Sequence, residues 1–257
     1  MDAVIFSIVF TALVGVLFFV VRQFDRRITM PMVALAALVL GLDDLVTGLA
    51  SSVSALALLG DSWNWSGKVY SLVLSVIVIL ALRIDRQALG LTLRQRSPWL
   101  SVAAVLGFIV WGTALGLLFK PGAADAETLA FQLTMPALSE ELVYRGLLPA
   151  VLFGALYGRS LPRSGYWPVI VGTAIAFGVW HSLGYAKGTF RFDWMSGLIP
   201  FIGSLAGGLG FGHIPIGPWA MARRMGIFTL GLLLALISLD VWWLGGTLFL
   251  AGIGIAP

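Results

Sequence analysis

Long apolar runs, each closed by a short polar or basic stretch, divide the chain from one end to the other. They fall at about residues 3–21, 30–59, 69–84, 99–119, 129–157, 166–184, 195–212, 226–239 and 241–255. Most come near the roughly 20 residues that a helix needs to cross a bilayer, and a helix satisfies its own backbone polar groups in hydrocarbon. The pattern predicts an all-α fold, a polytopic transmembrane helical bundle of about seven or eight spans. Two places leave the count open. The 30–59 run holds Asp43 and Asp44 and reads as one span or as one span plus an interfacial piece, and the last two runs are short and meet at Asp240. The first run lacks the basic leader and small-residue cleavage site of a signal peptide, so it is expected to remain as a membrane helix. The stretch RIDRQALGLTLRQRSPW, 83–99, has the composition of an amphipathic connector lying at the interface.

Composition sharpens this to one membrane-embedded unit, 1–257. Hydrophobic residues make up 59% of the chain and charged residues only 11%, against roughly 25% in soluble domains. The net charge of +4 comes from short basic loops and gives no patch for nucleic acid, so the expected surroundings are the lipid bilayer. Arginines cluster at Arg22, Arg26 and Arg27, at Arg83, Arg86, Arg94 and Arg96, at Arg159 and Arg163, and at Arg223 and Arg224. These loops alternate along the chain. The positive-inside bias puts them in the cytoplasm and the N-terminus outside, with the plasma membrane of a bacterium as the expected location. The absence of cysteine excludes thiolate catalysis and cysteine-ligated metal.

Against this apolar background, PALSEELVYRGLLPA, 136–150, carries three ionisable groups inside a span. A charged side chain at a helix centre costs about 2.5–3.5 kcal/mol on insertion scales, so such a residue is a functional candidate. Glu141 and Arg145 stand four apart with the glutamate first, the favourable order for an ion pair on one helix face. Glu140 points about 100° away and is left without that partner, a setting suited to a general base. Both histidines of the chain fall in later apolar segments: His181 in FGVWH, sharing a face with Phe177, and His213 in GGLGFGHIPIGP. Glutamate and histidine together can hold and deprotonate a water molecule, or hold a metal ion that does so.

These residues carry a resemblance to the CAAX protease and bacteriocin-processing (CPBP, or Abi) family of intramembrane proteases. The E-E-x-x-x-R motif is matched by Glu140, Glu141 and Arg145, and F-x-x-x-H by Phe177 and His181 on the next span. The resemblance covers about residues 90–230, a protease-like core, with 1–80 adding only N-terminal spans. It implies an intramembrane endopeptidase that cleaves a membrane-anchored peptide or protein. Glu140 is then the base, His181 its water-binding partner, and Glu141 with Arg145 the supporting pair. A third motif supplies another histidine, followed four residues on by asparagine or a similar small polar residue. Here His213 is followed by Gly217, and an alternative alignment puts the expected histidine at Gly226. The single asparagine, Asn64, lies far upstream. A zinc ion bound by two histidines and a carboxylate is compatible with the residue types, although H-E-x-x-H is missing. Two other readings stand beside the protease. One is a non-catalytic membrane interaction or immunity protein that retains the fold. The other is a proton-coupled transporter using Glu140, Asp43 and Asp44.

Overall fold

The computed structural model describes residues 1–60, 62–86, 88–89, 106, 110, 125–154 and 167–212. Helix α1 (Asp2–Phe24) and helix α2 (Met30–Ser52) form an antiparallel pair, and α2 ends in a short 3-10 turn at Ser54–Leu56. The 30–59 run is therefore one helix followed by a terminal turn. Next come α3 (Trp65–Ala81), α4 (Ala126–Glu140), a π-helical segment (Glu141–Leu147), α5 (Leu148–Leu152), α6 (Trp167–Ser182) and α7 (Trp194–Gly212).

One element departs from the all-α expectation. Between α6 and α7 the chain makes an antiparallel hairpin, β1 (Leu183–Ala186) and β2 (Thr189–Phe192), in the register Leu183 to Phe192 and Ala186 to Thr189. Lys187 and Gly188 form its two-residue turn, both at positive φ, as the primed hairpin turns require. The signal was present in the sequence: Lys-Gly sits between LGYA and TFRF, a run too polar to continue the membrane helix.

Packing follows the period of the helix. Phe10, Val14, Phe18 and Val21 line one face of α1 and are buried with Val33, Ala36, Ala37 and Leu40 of α2. The opposite face of α1 leaves Val4, Ile8, Val16, Phe19 and Val20 exposed. An apolar face this extensive is the surface of a lipid-facing helix, and both α1 and α2 are long and apolar enough to cross a membrane. Because lipid tails offer no hydrophobic drive for helix association, close approach at small residues does much of the joining. A side chain added at Gly41 would run into Thr11, and one added at Gly178 would lie 2.8 Å from Phe201 Cβ and 3.0 Å from the Gly197 carbonyl. The runs expected at 99–119, 226–239 and 241–255 lie outside the described residues, apart from isolated helical positions at 106 and 110.

The helix ends sort into two layers. At one end, α1 begins beside the hairpin, with the Lys187 N–H donating to Asp2 at 3.0 Å. Asn64 caps α3 by accepting from the Gly67 N–H, while its amide donates to the Thr47 carbonyl at 2.9 Å, joining the end of α2 to the start of α3. Glu127 and Thr128 of α4 meet Ser62, Trp63 and Trp65 in that layer. At the other end, Phe24 closes α1 against Trp167 at the start of α6, ring centres 5.9 Å apart.

Candidate active site

The E-E-x-x-x-R residues lie where α4 changes pitch. Asp125 starts α4 by accepting the Thr128 N–H at 2.7 Å, and Pro149 lies just inside α5. Proline has no N–H for the carbonyl four residues back, and its ring crowds that carbonyl, here Arg145's. The backbone accommodates this by widening. Glu141–Leu147 is π-helical, and the Leu148 N–H bonds to the Val143 carbonyl five residues back. Such wide turns are concentrated at functional sites. This corrects the regular α-helix read from the sequence. The ion pair survives the change, because residues four apart still share a side: the Arg145 guanidinium donates to Glu141 Oε1, with both side chains buried.

Glu140 is not left without a partner. Lys68, on the first turn of α3, donates its ammonium to Glu140 Oε1 at 2.6 Å, and the two side chains are only 10% and 6% exposed. Glu140 Oε2 is buried and meets no hydrogen-bond partner among the described residues. The same ammonium lies 5.0 Å above the ring of Trp180. Sequence reasoning missed Lys68, which stands one residue before the 69–84 run. The available signal was that it is the only lysine ahead of residue 120.

The F-x-x-x-H pair acquires a physical meaning. His181 Nδ1 lies 3.0 Å from the Phe177 carbonyl, one helical turn back. A carbonyl can only accept, so Nδ1 carries the hydrogen and Nε2 keeps its lone pair. The half-buried His181 ring is wedged between Phe177, at 4.5 Å between ring centres, and Trp180, at 4.7 Å. Phe177 in turn packs edge-on against Tyr144 at 4.8 Å and lies under the Arg145 guanidinium at 5.3 Å. The two motifs thus interlock through Phe177, and His181 lies within the field of Glu140, Lys68 and Arg145.

The N-terminal helices do more than span. Ser71 donates to Asp43 at 2.5 Å, Trp180 Nε1 donates to Asp44 at 2.8 Å, and Ser7 donates to the other Asp44 oxygen. Asp44 therefore ties α1 and α2 to α6 beside the site. Lys68 and Asp44, both within residues 1–80, thus contact the helices that carry the two motifs, and Asp43 bonds to Ser71 of α3. His213, Gly217 and Gly226 lie outside the described residues. Among the described residues no group of three His, Asp or Glu side chains could hold a metal ion. Glu140 Oε1 already faces an ammonium, and His213, the second histidine of a two-histidine, one-carboxylate set, lies outside the described residues.

A family model described as "Type II CAAX prenyl endopeptidase Rce1-like" matches residues 124–253. The match takes in Glu140, Glu141, Arg145, His181 and His213 and leaves Lys68, Asp43 and Asp44 ahead of it. Searches among curated proteins and among solved structures gave no match.

Proposed function

The chain belongs to the Rce1-like family of type II CAAX prenyl endopeptidases, a family of membrane proteases, and from that premise we propose that it is an intramembrane endopeptidase in which Glu140 and His181 activate water. One observation carries the reading. A buried carboxylate oxygen without a partner among the described residues, Glu140 Oε2, belongs to the same side-chain cluster as an imidazole whose Nε2 lone pair is freed by the bond from Nδ1 to Phe177.

A water held between Glu140 Oε2 and His181 Nε2 gives its proton to the carboxylate as its oxygen attacks the scissile carbonyl. The C–N bond then breaks, and the proton on Glu140 passes to the leaving amine. Lys68 offsets the carboxylate charge throughout and holds the side chain through Oε1. Glu141 and Arg145, braced by Phe177, hold the π segment in register. The resemblance assigns oxyanion stabilisation to the third motif, where His213 is the candidate. The substrate is a membrane-anchored peptide or protein, and the setting is the plasma membrane of a bacterium.

Glu140→Ala and His181→Ala are each expected to abolish cleavage of an internally quenched peptide ending in a prenylated CAAX tetrapeptide. Both proteins should still be extracted folded in detergent, and full activity in both variants overturns the reading. Gly217, standing where the family places asparagine, favours one competing reading, a non-catalytic membrane partner. That reading predicts that Glu140→Gln retains the biological role.

A further inference from the structure

We propose that Asp44 and Trp180 are positioning residues for the Glu140 and His181 pair. Asp44, on a helix ahead of the family match, fixes the Trp180 indole, and the indole holds both His181 and the lysine that binds Glu140. The inference rests on the protease reading and adds two residues to it, one on α2 and one on α6.

Phe177, Trp180 and His181 stand at i, i+3 and i+4 on α6, so their side chains share one face. The Trp180 ring meets His181 at 4.7 Å between centres and nearly perpendicular, at 89°, while Phe177 packs on the imidazole at 4.5 Å. The Lys68 ammonium lies 5.0 Å from the centre of the same indole and 2.6 Å from Glu140 Oε1. One ring therefore lies against both halves of the proposed site: His181 itself, and the ammonium that sets the Glu140 carboxylate. A tryptophan side chain turns about two torsions, and its Nε1 lies far from Cβ, so one hydrogen bond at that atom arrests both. Asp44 supplies it, accepting from Nε1 at 2.8 Å.

The anchor is itself braced by neighbouring helices. Ser7 of α1 donates to the other Asp44 oxygen, so both oxygens of this buried carboxylate accept from protein donors. The adjacent Asp43 accepts at 2.5 Å from Ser71, which stands one turn after Lys68 on α3. Two consecutive residues of α2 thus fix the indole and the turn that carries Lys68 relative to one another. A carboxylate is costly to keep in an apolar bundle, and its charge-assisted bond to an indole N–H is stronger than a neutral one, which suits a part that must not drift. Displacing a reacting group by about 1 Å can cost about 10²-fold in rate, so a small tilt of the Trp180 ring is enough to matter.

Steady-state cleavage of the quenched prenylated peptide tests this with Trp180→Phe, Asp44→Leu, Asp44→Asn and Ile28→Ala. The last truncates a buried side chain in the α1–α2 turn, at the other end of the bundle, and controls for general loosening. Trp180→Phe and Asp44→Leu should each lower kcat about 10- to 100-fold with KM within about threefold, and the double variant should be little worse than the poorer single. Asp44→Asn, whose amide oxygen still accepts from the indole, and Ile28→Ala should both keep kcat within about threefold of the parent. Parent-like kcat in Asp44→Leu, or a loss in Asp44→Asn or Ile28→Ala as large as in Asp44→Leu, overturns the proposal. A second arm needs no activity. With only two histidines in the chain, a His213→Gln background leaves His181 alone, and its ring nitrogens can be read by ¹⁵N NMR in detergent at about pH 8, where a free imidazole is neutral. Nδ1 and Nε2 should give separate protonated and bare signals, and Trp180→Phe and Asp44→Leu should draw the two toward their average as the loosened ring samples both tautomers. Signals unchanged by both substitutions overturn the proposal. If the parent cleaves the peptide no better than Glu140→Gln, the protease reading fails instead, and the nitrogen signals still decide whether Trp180 and Asp44 hold the ring.

Discussion

Replacing Lys68 with methionine keeps the length and apolar stem of the side chain and removes the charge beside Glu140. At the 2.6 Å separation of Nζ and Oε1, an effective dielectric near 20 gives a gross attraction of about 6 kcal/mol. Much of that is spent on desolvating two ions, so the intact pair contributes far less than the Coulomb figure. Removing one partner is a different perturbation, because it leaves a buried carboxylate without compensation, at a cost of about 3–5 kcal/mol. Loss of the contact to the Trp180 ring adds about 0.5–1 kcal/mol or somewhat more. Lys68→Met should therefore unfold in a mixed-micelle detergent titration at clearly lower denaturant, whereas Lys68→Met/Glu140→Gln, with neither charge present, should recover much of the loss. The coupling energy from the four proteins should be about 2 kcal/mol or more, within the range seen for residues in direct contact. Additivity to within about 0.5 kcal/mol would refute the pairing, because that is the behaviour of independent sites.

Further outcomes follow from the packing and the charges. Gly178→Ala places a methyl 2.8 Å from Phe201 Cβ and 3.0 Å from the Gly197 carbonyl, so α6 and α7 must separate. Proteolytic susceptibility should rise and cleavage of the quenched peptide should fall, since His181 rides on α6. Asp44→Asn keeps the shape but alters the contacts to Ser7 and Trp180, and it should cost about 1–3 kcal/mol in the same titration. The Asp25 carboxyl, in the turn outside the membrane helices, is held below the usual carboxylate range chiefly by its hydrogen bonds from the Arg27 side chain. Its folded value thus lies below its unfolded value of about 3.9, so its contribution is complete above that pH and is lost as pH falls through the folded value. Asp25→Asn should lower stability by up to about 1 kcal/mol at pH 7, and the difference from the parent should shrink as pH falls through the folded value.

The apolar periodicity gave the described helices to within a few residues, because lipid imposes one solution on a long hydrophobic run. α1, α3, α6 and α7 all begin or end close to where the pattern places them. Glu141 and Arg145 were legible as a pair because four-residue spacing is a local property. The π widening was not, since it depends on how the chain resolves Pro149 rather than on any hydrophobic period. Glu140 looked unpartnered for a related reason: its counter-ion comes from a helix 72 residues earlier, and nothing local signals a contact at that separation. Lys68 was visible as a residue but not as a buried charge, because a lysine at the end of an apolar run ordinarily snorkels to water. The second motif showed the opposite case. His181 was found by its spacing, but the use of Phe177, whose carbonyl sets the tautomer and whose ring carries Arg145, emerges only from the packing of α6 against the π segment.

The central claim is that Glu140 and His181 act on one water as a unit, and a kinetic cycle tests it most directly. Cleavage of the quenched prenylated peptide would be measured for the parent protein, Glu140→Gln, His181→Ala and the double variant, each confirmed folded in detergent. The account predicts that each single substitution lowers kcat by at least about 10²-fold, and that the double variant is little worse than the poorer single, because groups acting together are strongly non-additive. Either single variant retaining activity within about threefold of the parent, or fully multiplicative losses in the double, would contradict it.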